Sequence, residues 1–341
     1  MLQQTQVKTV LPYWKRWMRA LPNLGALARA KPERLHKLWE GLGYYIRVRN
    51  LHRAAQRICE EHGGKFPQNF DDVLALPGIG PYTAGAICSI AFNQPKPILD
   101  GNVIRVLTRL YGIAGNTHER KTNSHLWQIA EELVLQAAKT GTRANPSPHA
   151  SRLTFHVSRI TPPAPRPCAQ FNQSLMELGA LICTPRAPRC SACPVAKHCV
   201  AYLRDRVLEL PSLRQRISST PQRFAAFVAQ KRGRFLVRKR PAGVVNAHLW
   251  EFPNVELTSE DADLKQAARR ALGVRPKKLE LLGTVKHSIT RYRITLEAYR
   301  VVGNHARPIR VAKGRWLDQN RLSQLAFTSA HRQILRRLEH E

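Results

Sequence analysis

Cys183, Cys190, Cys193 and Cys199 follow the spacing Cys-x6-Cys-x2-Cys-x5-Cys. Four thiolates on one short loop can close around a single metal centre, and soft sulfur ligands select zinc or iron–sulfur. Four-cysteine zinc sites usually bring two close pairs separated by a longer run, and here only one pair is close. Upstream, Asp100 stands in Ile98-Leu99-Asp100-Gly101-Asn102-Val103, at the head of an apolar-periodic stretch. Alone, such an Asp is a helix N-cap. A third feature is Leu76-Pro77-Gly78-Ile79-Gly80-Pro81-Tyr82-Thr83-Ala84-Gly85-Ala86. Its glycines allow a tight turn, and Pro81 fits the first turn of a following helix. Free N–H donors at such a helix start bind phosphate without reading sequence.

The charge balance says what such donors would meet. The 341 residues carry 55 Lys and Arg against 23 Asp and Glu, a formal net charge of +32. A field of that sign implies a polyanionic partner, with nucleic acid first among candidates. No run of 18 apolar residues exists, so no membrane span is expected. The N-terminus lacks a charged-then-apolar leader, and Cys59, Cys88 and Cys168 outside the cluster read as reduced thiols. A cytoplasmic chain follows.

The elements that must position these residues read in two textures. Apolar-periodic segments cover roughly 33–40, 47–61, 69–76, 81–92, 101–112 and 122–138, and residues 171–183 read as a helix delivering Cys183. Residues 139–170 hold six prolines with little periodicity, a linker by composition. From Arg223 the pattern changes. Phe224–Ala229 and Arg234–Arg238 are strand-like, a helix is expected near 260–272, Tyr292–Tyr299 alternates, and Ser329–Leu338 is a basic helix. The division is thus 1–138 helical, 139–170 insertion, 171–203 cysteine region, 204–222 connector and 223–341 α+β.

The Cys loop on a helix end resembles the [4Fe–4S] loop of the endonuclease III-like superfamily of DNA repair glycosylases, and the Gly78–Gly80 turn resembles its helix–hairpin–helix. Met1-Leu2-Gln3-Gln4-Thr5-Gln6-Val7 and Gly41-Leu42-Gly43-Tyr44-Tyr45-Ile46-Arg47-Val48-Arg49-Asn50-Leu51 narrow the resemblance to the MutY family of adenine DNA glycosylases. The resemblance implies an all-α glycosylase domain with a [4Fe–4S] cluster on the four cysteines, followed by an α+β Nudix-like domain. It implies excision of adenine opposite 8-oxoguanine or guanine in double-stranded DNA, by a bacterial, cytoplasmic monomer without membrane contact. Asp100 aligns with the catalytic Asp and Asn102 with its neighbour. Tyr82 stands where strand-cutting members place a Lys for a Schiff base, which implies a monofunctional enzyme. Gln3, Gln4 and Tyr44 would touch DNA beside the flipped adenine and the lesion, with Gly78 and Gly80 on phosphate. Tyr45 is expected in the core. Trp250-Glu251-Phe252-Pro253 resembles a Nudix landmark, but the helix at 264–274 lacks the carboxylates that hold Mg2+ on a pyrophosphate, so recognition without hydrolysis is expected. Ile289-Thr290-Arg291 stands for the family's lesion-reading Phe-Ser-His, leaving Thr290 and Arg291 as the reading residues.

The family's general-acid Glu lies two residues before the Met-Leu-Gln-Gln segment, and this sequence starts at that Met. The expectation is therefore an adenine glycosylase by family and, for the chain as written, a mispair-binding fragment with little or no activity.

Overall fold

The computed structural model describes residues 1–3, 5–143, 166–212, 219–258, 263–289, 291–303, 309 and 311–339. Packing divides the chain into two compact units, Met1–Gly64 with Arg216–Glu341, and Lys65–Gln215. This differs from the division by texture, and the core explains why. Four helices open the chain: α1 (Val7–Ala20), α2 (Leu24–Ala28), α3 (Pro32–Trp39) and α4 (Ile46–Glu61). Their buried side chains Val10, Trp17, Leu35, Trp39 and Val48 share one cluster with Leu249 and Ala326, contributed from far along the chain. Periodicity shows that a helix has an apolar face but not what covers it.

The second unit holds α5 (Phe70–Ala75), α6 (Pro81–Ala86), α7 (Gly101–Tyr111), α8 (Arg120–Arg143), α9 (Pro167–Glu177) and α10 (Val200–Leu203). Asn69 starts α5 by accepting the N–H of Asp71 at 2.8 Å. Two stretches expected as single helices change pitch. The helix from Pro81 becomes a π-turn over Ile87–Ala91, and α9 becomes one over Leu178–Ile182, just before Cys183. The α9 helix also starts at Pro167, four residues before the expected Phe171, because a proline loses nothing at the first helical position. Most of the 139–170 insertion lies outside the described residues.

The α+β part follows with β1 (Thr220–Lys231), β2 (Arg234–Lys239), β3 (Trp250–Glu251), β4 (Asn254–Leu257), α11 (Leu264–Leu272), β5 (Lys278–Ile289), β6 (Tyr292–Val302), β7 (Gly314–Leu317), α12 (Gln319–Gln324) and α13 (Ser329–Leu338). The sheet runs β3-β2-β1-β6-β5, with β4 also on β1 and β7 also on β2. Its centre is the parallel β1/β6 pair, flanked by antiparallel neighbours. The unbroken apolar run of β1 makes sense in that position. Ala225, Phe227 and Ala229 pack with Ala267, Ala268 and Leu272 of α11. Ala226 and Val228 turn the other way, toward Ile334 and Leu335 of α13. A strand buried on both faces carries no polar alternation.

Candidate active site and cluster loop

Asp100 caps α7, its Oδ1 accepting the N–H of Asn102 at 3.0 Å and of Val103 at 2.8 Å. Oδ2 accepts from Asn102 Nδ2 at 3.2 Å. One carboxylate oxygen is thus spent on the helix start, while the other faces a side-chain amide. Close packing fixes the segment. A Cβ on Gly85 of α6 would sit 2.0 Å from Pro97 O, so only glycine lets this helix lie against the chain entering Asp100. Tyr82, also on α6, is half-buried, with its hydroxyl donating to Met176 Sδ at 3.5 Å. Burial, with the Asp100 charge adding to it, pushes its phenol upward. Tyr82 is therefore a neutral hydroxyl donor in the physiological range.

Asn102 continues the network. Its Oδ1 accepts from Arg105 Nη2 at 2.8 Å, and Arg105 also donates to Gly179 O at 2.6 Å and, through Nε, to Cys183 O at 2.7 Å. Gly179 permits this packing, because a Cβ there would lie 2.8 Å from Asn102 Cβ. One turn on, Arg109 is almost fully buried at 2% exposure. It donates to Leu210 O at 2.9 Å, Thr184 O at 2.8 Å, Pro185 O at 3.2 Å and Cys183 Sγ at 3.3 Å. Among the described residues neither guanidinium pairs with a carboxylate. Sequence reasoning missed both arginines. The signal was available, as two cations four residues apart interrupting the apolar face of α7.

The four cysteines are free thiols lining one small cavity with Arg109 and Tyr202. Burial pushes the Cys190 thiol up, with Cys183, Cys199 and Cys193 adding to the shift and the Arg109 charge opposing it. Among the described residues no His, Cys, Asp or Glu group is gathered closely enough to hold a single metal ion. The donor set fits an iron–sulfur cluster. Four thiolates would give such a cluster an anionic shell, and the buried Arg109 guanidinium, which pairs with no carboxylate among the described residues, would compensate that charge.

The helix–hairpin–helix turn lies in the same unit. Gly78 takes φ +81, a left-handed conformation that favours glycine. Gly80 caps α6 with ordinary φ, and a Cβ on it would meet nothing within 4 Å.

Residues 1–132 match the family model described as HhH-GPD superfamily base excision DNA repair protein, and residues 225–337 match a NUDIX domain model. The mouse adenine DNA glycosylase is 34% identical, in a match covering 99% of this chain and 70% of that protein. The chain belongs to the adenine DNA glycosylase family. A fission yeast adenine DNA glycosylase is also 34% identical, across 76% of this chain but only 59% of its own length. The solved structure of a thermostable thymine-DNA glycosylase has 25% identity and a TM-score of 0.47, covering 60% of this chain and 80% of that one.

The residues expected to act in an adenine DNA glycosylase divide between the two units. Asp100, Asn102, Tyr82, Gly78, Gly80 and the four cysteines share Lys65–Gln215, while Gln3, Tyr44 and Arg291 belong to the other unit. Gln4 and Thr290 lie outside the described residues. Tyr44 is 54% exposed, and Tyr45 is buried edge-on against His36. The Gly41–Tyr44 loop is strained, with φ of +106 at Gly41, +67 at Gly43 and +46 at Tyr44. Arg47, another residue sequence reasoning missed, holds that loop to the chain start. Its Nη2 donates to Leu42 O at 3.0 Å, and its Nη1 to Met1 O at 3.0 Å, Thr5 Oγ1 at 3.0 Å and Gln3 O. The same guanidinium lies over the Trp39 and Tyr44 rings. Arg291 sits in the turn joining β5 and β6, where Ile289 pairs with Tyr292, and it donates to Tyr292 Oη at 2.9 Å.

The α11 helix presents Lys265, Gln266, Arg269 and Arg270 and contains no carboxylate. Glu251 of the Trp-Glu-Phe-Pro segment is instead a buried structural group, paired with Arg238 at 2.9 Å and with Arg240. Burial would raise its carboxyl, but the charges of His331, Arg240 and Arg238 hold it low. Burial pushes His331 itself down to about 4, so at neutral pH the two arginines carry that effect. Among the described residues no helix is long and apolar enough to cross a membrane.

Proposed function

We propose that this chain removes adenine mispaired with 8-oxoguanine or guanine from double-stranded DNA by monofunctional hydrolysis of the N-glycosidic bond. The observation that carries the reading is the Asp100–Asn102 pair at the head of α7 with Tyr82 as its neighbour. Loss of a purine leaves positive charge on the deoxyribose. The Asp100 carboxylate stabilises that charge where little water competes, a contribution of several kcal/mol. Tyr82 stays protonated, so it can trade its weak Met176 acceptor for a sugar or water oxygen. A phenol forms no Schiff base, so strand cleavage is not expected of this site.

The remaining parts serve capture and recognition. Gly80 has open space around its Cα and Gly78 supplies the left-handed turn beside it, which suits a phosphate approaching the backbone. Tyr44, with the Arg47 guanidinium over its ring, would act with Gln4 as the wedge that replaces lost stacking, and Gln3, whose carbonyl accepts from Arg47, would also contact the DNA. Arg291, on the tip of a hairpin, suits contact with the lesion strand, and α11 supports recognition without nucleotide hydrolysis. Cys183, Cys190, Cys193 and Cys199 would hold a [4Fe–4S] cluster, which supplies a rigid anionic anchor for the loop packed on α7. The protein would act as a monomer on DNA in the cytoplasm.

A single-turnover assay on a duplex with adenine opposite 8-oxoguanine tests the reading. Base release without strand cleavage, and without a borohydride-trapped adduct, supports it. Tight mispair binding with no release would make the chain a recognition fragment, and no mispair preference would defeat both.

A further inference from the structure

Glu40 ends α3 and immediately precedes the strained Gly41–Tyr44 loop. Its side chain is largely buried, at 15% exposure. Oε1 accepts the backbone N–H of Phe327 at 2.9 Å, and Oε2 takes Lys37 Nζ at 2.7 Å. The same Lys37 ammonium donates to Leu325 O at 3.0 Å. One acid and one base from the first helices therefore complete the backbone bonding of Leu325–Phe327, nearly three hundred residues away in sequence.

That backbone belongs to the heart of the α+β fold. Trp250 N–H donates to Ala326 O at 2.9 Å, Thr328 N–H donates to Trp250 O at 3.2 Å, and Phe327 is fully buried against Phe252. Leu249 and Ala326 lie in the same core as Trp39. Trp39, beside Glu40, donates its indole N–H to Gly43 O at 3.0 Å, one residue before Tyr44. The path from Phe327 to the Tyr44 ring is four residues of chain with three left-handed backbones, pinned at both ends. A loop so confined inherits its position from its anchor.

We propose that Glu40 and Lys37 form a latch through which the Nudix-like fold sets the position of the Tyr44 wedge, making both positioning residues for mispair recognition. The proposal rests on the reading of Tyr44 given above. It differs from simple satisfaction of a buried N–H in one respect: loosening Phe327 must also loosen the loop.

Amide hydrogen exchange on the full chain without DNA tests this directly, using Glu40→Ala, Glu40→Gln and Lys37→Met. A charged hydrogen bond of this kind governs local opening by about tenfold. Glu40→Ala is expected to speed exchange about that much in residues 41–45 and 325–328 together. Glu40→Gln keeps an acceptor for Phe327 and should remain near wild type, whereas Lys37→Met should give a smaller rise in both segments. Exchange that rises at 325–328 with the loop unchanged overturns the latch. If Glu40→Ala fails to fold, Lys37→Met decides by the same criterion. The functional arm is equilibrium binding to duplexes holding 8-oxoguanine or guanine opposite a non-cleavable adenine analogue. Glu40→Ala should lose about tenfold of the preference for 8-oxoguanine while keeping its affinity for unmodified duplex, and an intact preference also overturns the proposal. A wild-type chain with no preference would instead defeat the reading of Tyr44, leaving the exchange result to judge the latch.

Discussion

The two units bury charge in opposite ways. In Lys65–Gln215, Arg105 and Arg109 are nearly inaccessible and spend their donors on carbonyls, on Asn102 and on Cys183 Sγ. In the other unit the deeply buried charge is Glu251, neutralised on the spot by Arg238 and Arg240. A buried cation without a counter-charge is costly, whereas an acid enclosed by two guanidiniums is complete in itself. The first arrangement spreads its charge over carbonyl and amide dipoles, and the second pairs it directly with the opposite charge. Position makes the same point, since the arginines lie between the candidate catalytic Asp100 and the cysteine loop, while Glu251 lies in the frame of the Nudix-like fold.

Breaking each arrangement should have different consequences. Asp100→Asn retains a capping oxygen but loses the negative charge, so base release should fall about a thousandfold with mispair binding retained. Single-turnover kinetics and equilibrium binding on the same duplex check this. Arg109→Met comes next. With an anionic cluster in the loop it should lower stability by about 3 kcal/mol and reduce iron and sulfide content in anaerobically purified protein. Without a counter-anion the same change should be neutral or stabilising, and the contrast between units would fail.

Glu251→Gln leaves two guanidiniums without their acid and should cost about 2–3 kcal/mol, read by urea denaturation, with iron content unchanged. The smallest effect is one of pH. His331 Nδ1 accepts the Phe252 N–H at 3.1 Å, so the folded state needs that nitrogen unprotonated. Its folded value, about 4, lies below the usual 6.5. The stabilisation is therefore complete above about pH 6.5 and is lost as pH falls toward 4. Between pH 7 and 5 the loss should be about 1.5–2 kcal/mol. His331→Asn, which keeps an acceptor for Phe252, should flatten that dependence in denaturation midpoints. His36, also lowered to about 4, will leave a residual slope.

Much of the site was legible because its chemistry is local. The cysteine spacing, the Leu-Pro-Gly-Ile-Gly-Pro turn and the Leu-Asp-Gly-Asn segment each put their functional atoms within a few residues. Ser329–Leu338 was found to the residue, since its apolar stripe is uninterrupted. Pitch changes at Ile87 and Leu178 were not visible, because a π-turn inserts one residue without altering composition. Nor were the roles of Arg105, Arg109, Arg47 and Glu40. Each looks like a surface charge until its distant acceptor or donor is in place.

The sequence by itself determined the donor set, the turn that can meet a phosphate, the apolar faces of the helices and the carboxylate-free composition of α11. These depend on residue type and on spacing within one element. Only the tertiary structure decided that Met1–Gly64 shares a core with the Nudix-like fold, that a cation links Asn102 to Cys183, and that Glu40 bonds Phe327. Those contacts join residues tens to hundreds of positions apart, and their energy comes from removing polar groups from water together, which no local pattern encodes.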